Sequence, residues 1–304
     1  MFARLIWMRA ATPVLALHCA IFVRAEEIPR LTVATHRFGG LQLMTVGIDG
    51  SNPLQLTSET EEATQPAWRP DGSKIAYCVG ARLRTKIKIA DPDGKNAQYL
   101  LEDGGFQRGP QWSPDGREIA FTMFADRNHS YNVFVVNADG TGLKNLTDSN
   151  REAVDPAWSP DGKRIAFVSH AANLPTRLWV MNADGTEQAD VLGHDLDIAV
   201  YPSWTPDGKQ IDYGGPNESR QIQVMQVSPD GSNSAIVTRG PKQHSYAAWS
   251  SDGQYLAYVS DPGSHSGDLC LYDVLADEHR TILRGDVFEE VHRAARPAWV
   301  PKRP

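Results

Sequence analysis

Pro156-Ala157-Trp158-Ser159-Pro160-Asp161-Gly162-Lys163-Arg164-Ile165-Ala166-Phe167 is the stretch whose repetition decides the fold. Its centre returns as Trp68-Arg69-Pro70-Asp71-Gly72, Trp112-Ser113-Pro114-Asp115-Gly116 and Trp204-Thr205-Pro206-Asp207-Gly208, and as Trp249-Ser250-Ser251-Asp252-Gly253 without the proline. A sixth tryptophan, Trp299, follows Arg296-Pro297-Ala298, and the gaps between successive tryptophans are 44, 46, 46, 45 and 50 residues. A period in that range marks a repeat architecture. Each Pro-Asp-Gly is a turn with a mechanism: proline presets φ, aspartate bonds its own backbone, and glycine takes positive φ without a steric cost. Asp71, Asp115, Asp161, Asp207 and Asp252 are therefore turn residues, and the six tryptophans are expected to pack between neighbouring units.

Outward from the turn, a short apolar run follows in each copy: Ile75-Ala76-Tyr77, Ile119-Ala120-Phe121, Ile165-Ala166-Phe167, Ile211-Asp212-Tyr213 and Leu256-Ala257-Tyr258. An alternating segment such as Asn132-Val133-Phe134-Val135-Val136 comes next and reads as another strand. A second turn closes it at Asp49-Gly50, Asp93-Gly94, Asp139-Gly140, Asp184-Gly185 and Asp230-Gly231, with Asp277-Glu278 in the last copy. One more strand, as in Leu143-Lys144-Asn145-Leu146-Thr147, ends the unit. Four short antiparallel strands per repeat are one blade of a β-propeller. Residues 31–57 read as the last three strands of a unit and 296–304 as a lone first strand. Together they predict a six-bladed all-β propeller whose ring closes by pairing the two termini in one blade, which removes two exposed edges.

The repeat at 156–167 resembles that of the TolB family of propellers, and the resemblance covers residues 31–304. It implies a periplasmic protein that binds other proteins through one face of the ring. TolB proteins resemble a two-domain arrangement with a small α/β domain before the propeller, and here only a few residues separate the first strand from the N-terminal segment.

That segment, residues 1–25, reads as a secretory signal: Arg4 and Arg9, then an apolar run to Val23, then Val23-Arg24-Ala25 as a small-x-small cleavage site. The apolar run is short for a membrane span, although an uncleaved anchor is the alternative. Residues 26–304 then form one propeller domain, periplasmic or secreted, monomeric and not membrane-embedded. The net charge of -7 and the lack of a basic block beyond Lys302-Arg303 argue against a nucleic-acid partner. Cys19, Cys78 and Cys270 show no metal or disulfide spacing, so Cys78 and Cys270 are expected as buried small hydrophobes.

The sequence contains no Gly-x-Ser-x-Gly, no His-Glu-x-x-His and no phosphate-binding glycine loop, and its nine histidines share no repeat position. The expectation is a propeller without enzymatic activity, cofactor or metal, whose partner is another protein. The alternative is a propeller enzyme on polysaccharide, lyase-like, with a metal in the channel. The segments entering the tryptophan strands carry Gln65, Arg108, Asp155, Tyr201, His244, Tyr246, Arg293 and Arg296, and they share one end of the ring. That polar and aromatic set is read either as a partner site or as a solvated rim of the channel; Tyr and Arg are favoured interface anchors. Asp212 replaces the alanine of four sibling strands. A carboxylate buried there needs a partner or a raised pKa, while Gly214-Gly215-Pro216 beside it predicts an irregular blade.

Overall fold

The computed structural model describes residues 28–301 except 82–83, 103–104, 126–128, 149–150, 172–173, 194–199, 262–265 and 289–295. The signal segment, Cys19 and Arg293 lie outside the described residues. Within them the chain is all-β, with six four-stranded antiparallel blades in a ring.

Blade 1 consists of Ala63–Trp68, Ile75–Val79, Lys86–Ala90 and Gln98–Tyr99. Blade 2 is Gln107–Trp112, Glu118–Ala125, Ser130–Asn137 and Lys144–Asn145. Blade 3 is Glu152–Trp158, Arg164–Ala171, Leu174–Asn182 and Ala189–Asp190. Blade 4 is Val200–Trp204, Ile211–Pro216, Ile222–Val227 and Ala235–Ile236. Blade 5 is Gln243–Trp249, Tyr255–Asp261, Ser266–Asp273 and Glu278–Phe288. Blade 6 takes its first strand, Ala298–Trp299, from the C-terminal end and the other three, Arg30–Thr35, Gln42–Gly47 and Leu54–Gln55, from the N-terminal end. Leu31 pairs with Trp299 and Thr32 with Ala298, so the expected closure is present. The long last strand of blade 5 also meets blade 6, where Val287 pairs with Thr35. In blades 1–4 and 6 the outermost strand is two residues long, which leaves little free edge for another chain to extend.

The core lies in the seams between blades. One apolar cluster joins Ala76 and Cys78 of blade 1 to Ile119 and Phe121 of blade 2, and another joins Ala166 and Leu178 of blade 3 to Ile211 and Tyr213 of blade 4. The turns interlock across the same seams. Gly162, Gly208 and Gly253 each face the proline of the preceding blade's turn, Pro114, Pro160 and Pro206, and Gly72 faces Pro301 at the closure. In the second turn of blade 4, Gly231 has a φ of +84°, and a Cβ there would stand 2.2 Å from the carbonyl oxygen of Val191 in blade 3. Only glycine accepts both that φ and that approach.

The hydroxyl residue after four of the six tryptophans has a local reason. Ser159 Oγ donates to Asp161 at 2.6 Å and accepts the Arg164 N–H at 2.9 Å, while Asp161 also accepts the Lys163 N–H at 3.1 Å. Ser113 and Ser250 repeat this network, and Thr205 does the same in blade 4. Blade 1 has Arg69 there instead. It pairs with Asp71, donates to the Gly116 carbonyl and lies over Trp112 of blade 2.

Two sequence expectations meet a definite outcome. Cys78 and Cys270 are free and buried. The irregular blade expected from Gly214-Gly215-Pro216 is absent: Ile211–Pro216 pairs with Ile222–Val227 residue for residue. Gly215 fits because its missing side chain would meet Tyr213 and Met225, so the glycine serves packing rather than a break.

Candidate functional site at one end of the channel

In blades 1–5 the pairing of the first two strands slips by one residue, between Thr64 and Ala67, Arg108 and Gln111, Val154 and Ala157, Val200 and Ser203, and Ser245 and Ala248. Each slip is a β-bulge three residues before the tryptophan. The residue there has positive φ in all five blades: Gln65 at 51°, Gly109 at 62°, Asp155 at 55°, Tyr201 at 59° and Tyr246 at 58°. A bulge re-aims one side chain out of the pleat. For glutamine or tyrosine this conformation costs about 1–3 kcal/mol, so the surrounding ring must enforce it. Blades 1–5 thus present Gln65, Gly109, Asp155, Tyr201 and Tyr246 on equivalent backbone, and blade 6 contributes Arg296 at the same repeat position.

Gln65, Gly109, Asp155, Tyr201 and Arg296, with Pro66, Gln111 and Pro156, line a narrow pocket with about 30 Å³ of room for water, enough for one or two molecules. On the side of the Pro-Asp-Gly turns the channel opens into a funnel of about 390 Å³. Its wall is built from tryptophans and prolines of the repeat, among them Trp68, Trp112, Trp204, Trp249, Pro114 and Pro206. Pro66, Gln111 and Arg296 border both spaces, which marks the constriction between them.

The ring is ordered by specific bonds. Gln65 Oε1 accepts the Gly109 N–H at 2.9 Å and the Cys78 thiol at 3.0 Å, tying blades 1 and 2. Burial pushes the Cys78 thiol up to about 12, so it stays protonated and can donate. The Asp155 N–H donates to Thr122 Oγ1 at 3.0 Å, tying blades 2 and 3. The Tyr201 and Tyr246 rings stand 4.1 Å apart, with their hydroxyls 3.2 Å from each other. Arg296 feels the carboxylates of Asp155 and Asp212. Burial outweighs them and lowers its guanidinium to about 10, so it remains a cation at neutral pH.

Of the eight rim residues expected from sequence, Gln65, Asp155, Tyr201 and Arg296 line the narrow pocket, and Tyr246 pairs with Tyr201 beside it. Arg108 lies over the Tyr131 ring at 4.4 Å, a cation–π contact within blade 2. His244 is buried against Tyr258 of its own blade, ring centres 5.0 Å apart, and burial pushes it down to about 4. It is neutral at neutral pH. Among the described residues, no three His, Cys, Asp or Glu side chains come together as a metal-binding group. The positive φ of the ring was not foreseen from sequence. Four of the five positive-φ residues precede a proline, in Gln65-Pro66, Gly109-Pro110, Asp155-Pro156 and Tyr201-Pro202, whereas Tyr246 precedes Ala247.

Six four-stranded blades in a ring, closed by pairing the two chain ends in one blade, define the chain as a closed β-propeller. It belongs to the TolB beta propeller domain family, whose profile matches residues 79–301. The structure of TolB from Acinetobacter baumannii is similar at 21% identity with a TM-score of 0.70, over 90% of this chain and 67% of that one. A TolB protein of Agrobacterium tumefaciens gives 17% identity and a TM-score of 0.71, over 89% and 97% of the two chains. An oligogalacturonate lyase from Vibrio parahaemolyticus is similar at 15% identity and a TM-score of 0.54, over 85% and 73%. At these identities the structures show a shared fold. No helix among the described residues is long and apolar enough to cross a membrane.

Proposed function

We propose that this chain is an exported, non-catalytic propeller, periplasmic or secreted, that binds a protein partner through the channel end carrying Gln65, Asp155, Tyr201, Tyr246 and Arg296. The observation that carries the reading is the strained ring itself. Five blades repeat one positive-φ backbone conformation, costly in the four that carry a side chain there, yet the residues mounted on it differ in charge, size and aromaticity. The packing position at the head of each turn, by contrast, holds tryptophan in all six blades. A position with fixed backbone and varied side chain supports recognition of an asymmetric partner. Membership of the TolB propeller family supports the same reading.

The test places a photo-crosslinking amino acid at Tyr201 and, as control, at Leu275, which is 93% exposed on the outer rim. Cell-envelope extract is the source of partners. The expected result is a discrete adduct from position 201 that is absent from 275 and is lost in Asp155→Ala with Arg296→Ala. The same adducts from both positions, or none from 201, would overturn the proposal.

A further inference from the structure

Asp212 stands where Ala76, Ala120, Ala166 and Ala257 stand in the other continuous blades, and it is 0% exposed. Its Oδ1 accepts a hydrogen bond from Gln226 Nε2 at 2.8 Å, and its other oxygen accepts the indole N–H of Trp249 from blade 5. Within blade 4 it pairs with Ser203 on one side and Gln226 on the other. The titratable side chains on the strands packed against it are Tyr201, His244 and Tyr246. The tyrosines bond to each other, and His244 packs on Tyr258. The charge that acts on Asp212 is Arg296, the residue that borders both the narrow pocket and the funnel and that also feels Asp155. Burial dominates over these partners and raises the Asp212 carboxyl to about 7.

We propose that Asp212 sets the charge of the channel by gaining and losing one proton. Ionised, it offsets Arg296. Protonated from solvent, it leaves the Arg296 charge balanced by Asp155 alone, and the channel then takes an anionic group, such as a partner's carboxylate side chain, more strongly in mildly acidic surroundings. A protonated acid keeps an acceptor oxygen and gains a donor, so the Trp249 bond survives and the blades stay joined. This regulation rests on the reading that the channel end binds a partner. The charge change itself does not, and it is measurable without one.

The probe is iodide, an anionic quencher of tryptophan fluorescence, with neutral acrylamide as the reference for exposure. The funnel brings five tryptophans to the same space as Arg296. From pH 8 to pH 5.5 the ratio of iodide to acrylamide quenching should rise roughly two- to fourfold, the effect of one added charge about 10 Å away in a partly aqueous channel. Asp212→Asn should hold the low-pH ratio at both pH values, and Asp212→Ala, which installs the sibling residue, should match it. A parental ratio that ignores pH, or an Asp212→Asn variant that keeps the parental pH dependence, would overturn the inference. Failure of the crosslinking at Tyr201 would leave this result standing and remove only the partner.

Discussion

The indole N–H of Trp249 donates to the carboxylate of Asp212, whereas the indoles of Trp112, Trp204 and Trp299 donate to main-chain carbonyls of Ala67, Ala157 and Ala248. Each of those alanines is the residue before the tryptophan of the preceding blade. The repeat therefore has a default bond across its seams, from indole to main chain. Asp212 intercepts it at one seam, and Thr32 accepts the Trp68 indole at another, 2.9 Å away. A buried acid replaces a carbonyl already present in the backbone, so the exception between blades 4 and 5 costs stability.

The size of that cost depends on pH. In the unfolded chain an aspartate ionises near 3.8, and in the folded protein Asp212 ionises near 7. The folded state thus holds more protons between these values, and stability falls as pH rises through that window. Below 3.8 both states are protonated and the cost vanishes; above 7 it is complete. Asp212→Ala removes the titration, so its stability relative to the parent should improve by about 2–3 kcal/mol between pH 5 and pH 8. Urea unfolding of both proteins at the two pH values measures it, and a pH-independent difference would contradict the burial argument.

Trp158 provides a comparison at another seam. Its indole nitrogen is buried without a hydrogen-bond partner, while that of Trp112 donates to Ala67 at 3.1 Å. Replacement by phenylalanine removes a satisfied donor at 112 and an unsatisfied one at 158. Trp112→Phe should therefore destabilise by about 1 kcal/mol more than Trp158→Phe. Truncation at Trp158 to alanine loses the packing as well and should cost about 3–5 kcal/mol. Thermal unfolding of the three variants ranks them, and equal cost for the two phenylalanines would argue against the bonding difference.

Fold and site were legible in the sequence to different depths. The turn Ser159-Pro160-Asp161-Gly162 encodes its own geometry through local bonds, so five copies announced blade number and closure directly. The closing strand was readable because Arg296-Pro297-Ala298-Trp299 keeps the pattern of its siblings. Asp212 was visible as a departure from alanine, but its partner was not, because Trp249 lies 37 residues away across a seam. Gly215 misled because a glycine that makes room for Tyr213 and Met225 looks, in one dimension, like a glycine that breaks a strand. His244 shares its neighbourhood in sequence with Tyr246, yet the two part at the strand: His244 packs within its blade on Tyr258, while Tyr246 meets Tyr201 of the preceding blade.

Gly231 tests the interlock of the outer turns. Its φ of +84° and the 2.2 Å approach to the Val191 carbonyl add two penalties in Gly231→Ala. Gly193 has a φ of +64° and nothing within 4 Å of a Cβ, so Gly193→Ala bears the backbone penalty alone. The expected costs are about 3 kcal/mol or more at 231 and about 1 kcal/mol at 193. Chemical denaturation separates them, and similar values would show that the blades yield at this joint.

Gly109 tests whether the ring backbone is fixed by the fold or by glycine. It shares positive φ with Gln65, Asp155, Tyr201 and Tyr246, and a Cβ on it would stand 3.9 Å from Asp155 Oδ1, an ordinary contact. If the bulge enforces the conformation, a side chain suited to left-handed backbone is accepted there. Gly109→Asn should cost no more than about 1 kcal/mol, since asparagine tolerates this region, and Gly109→Val should cost about 2 kcal/mol or more, since a β-branched residue does not. Melting curves of the two variants give the comparison. Equal, large losses would mean that blade 2 depends on glycine itself and that the ring is not one repeated mount. A small loss for asparagine would leave the position open to receive new side chains, with the channel surface altered one blade at a time.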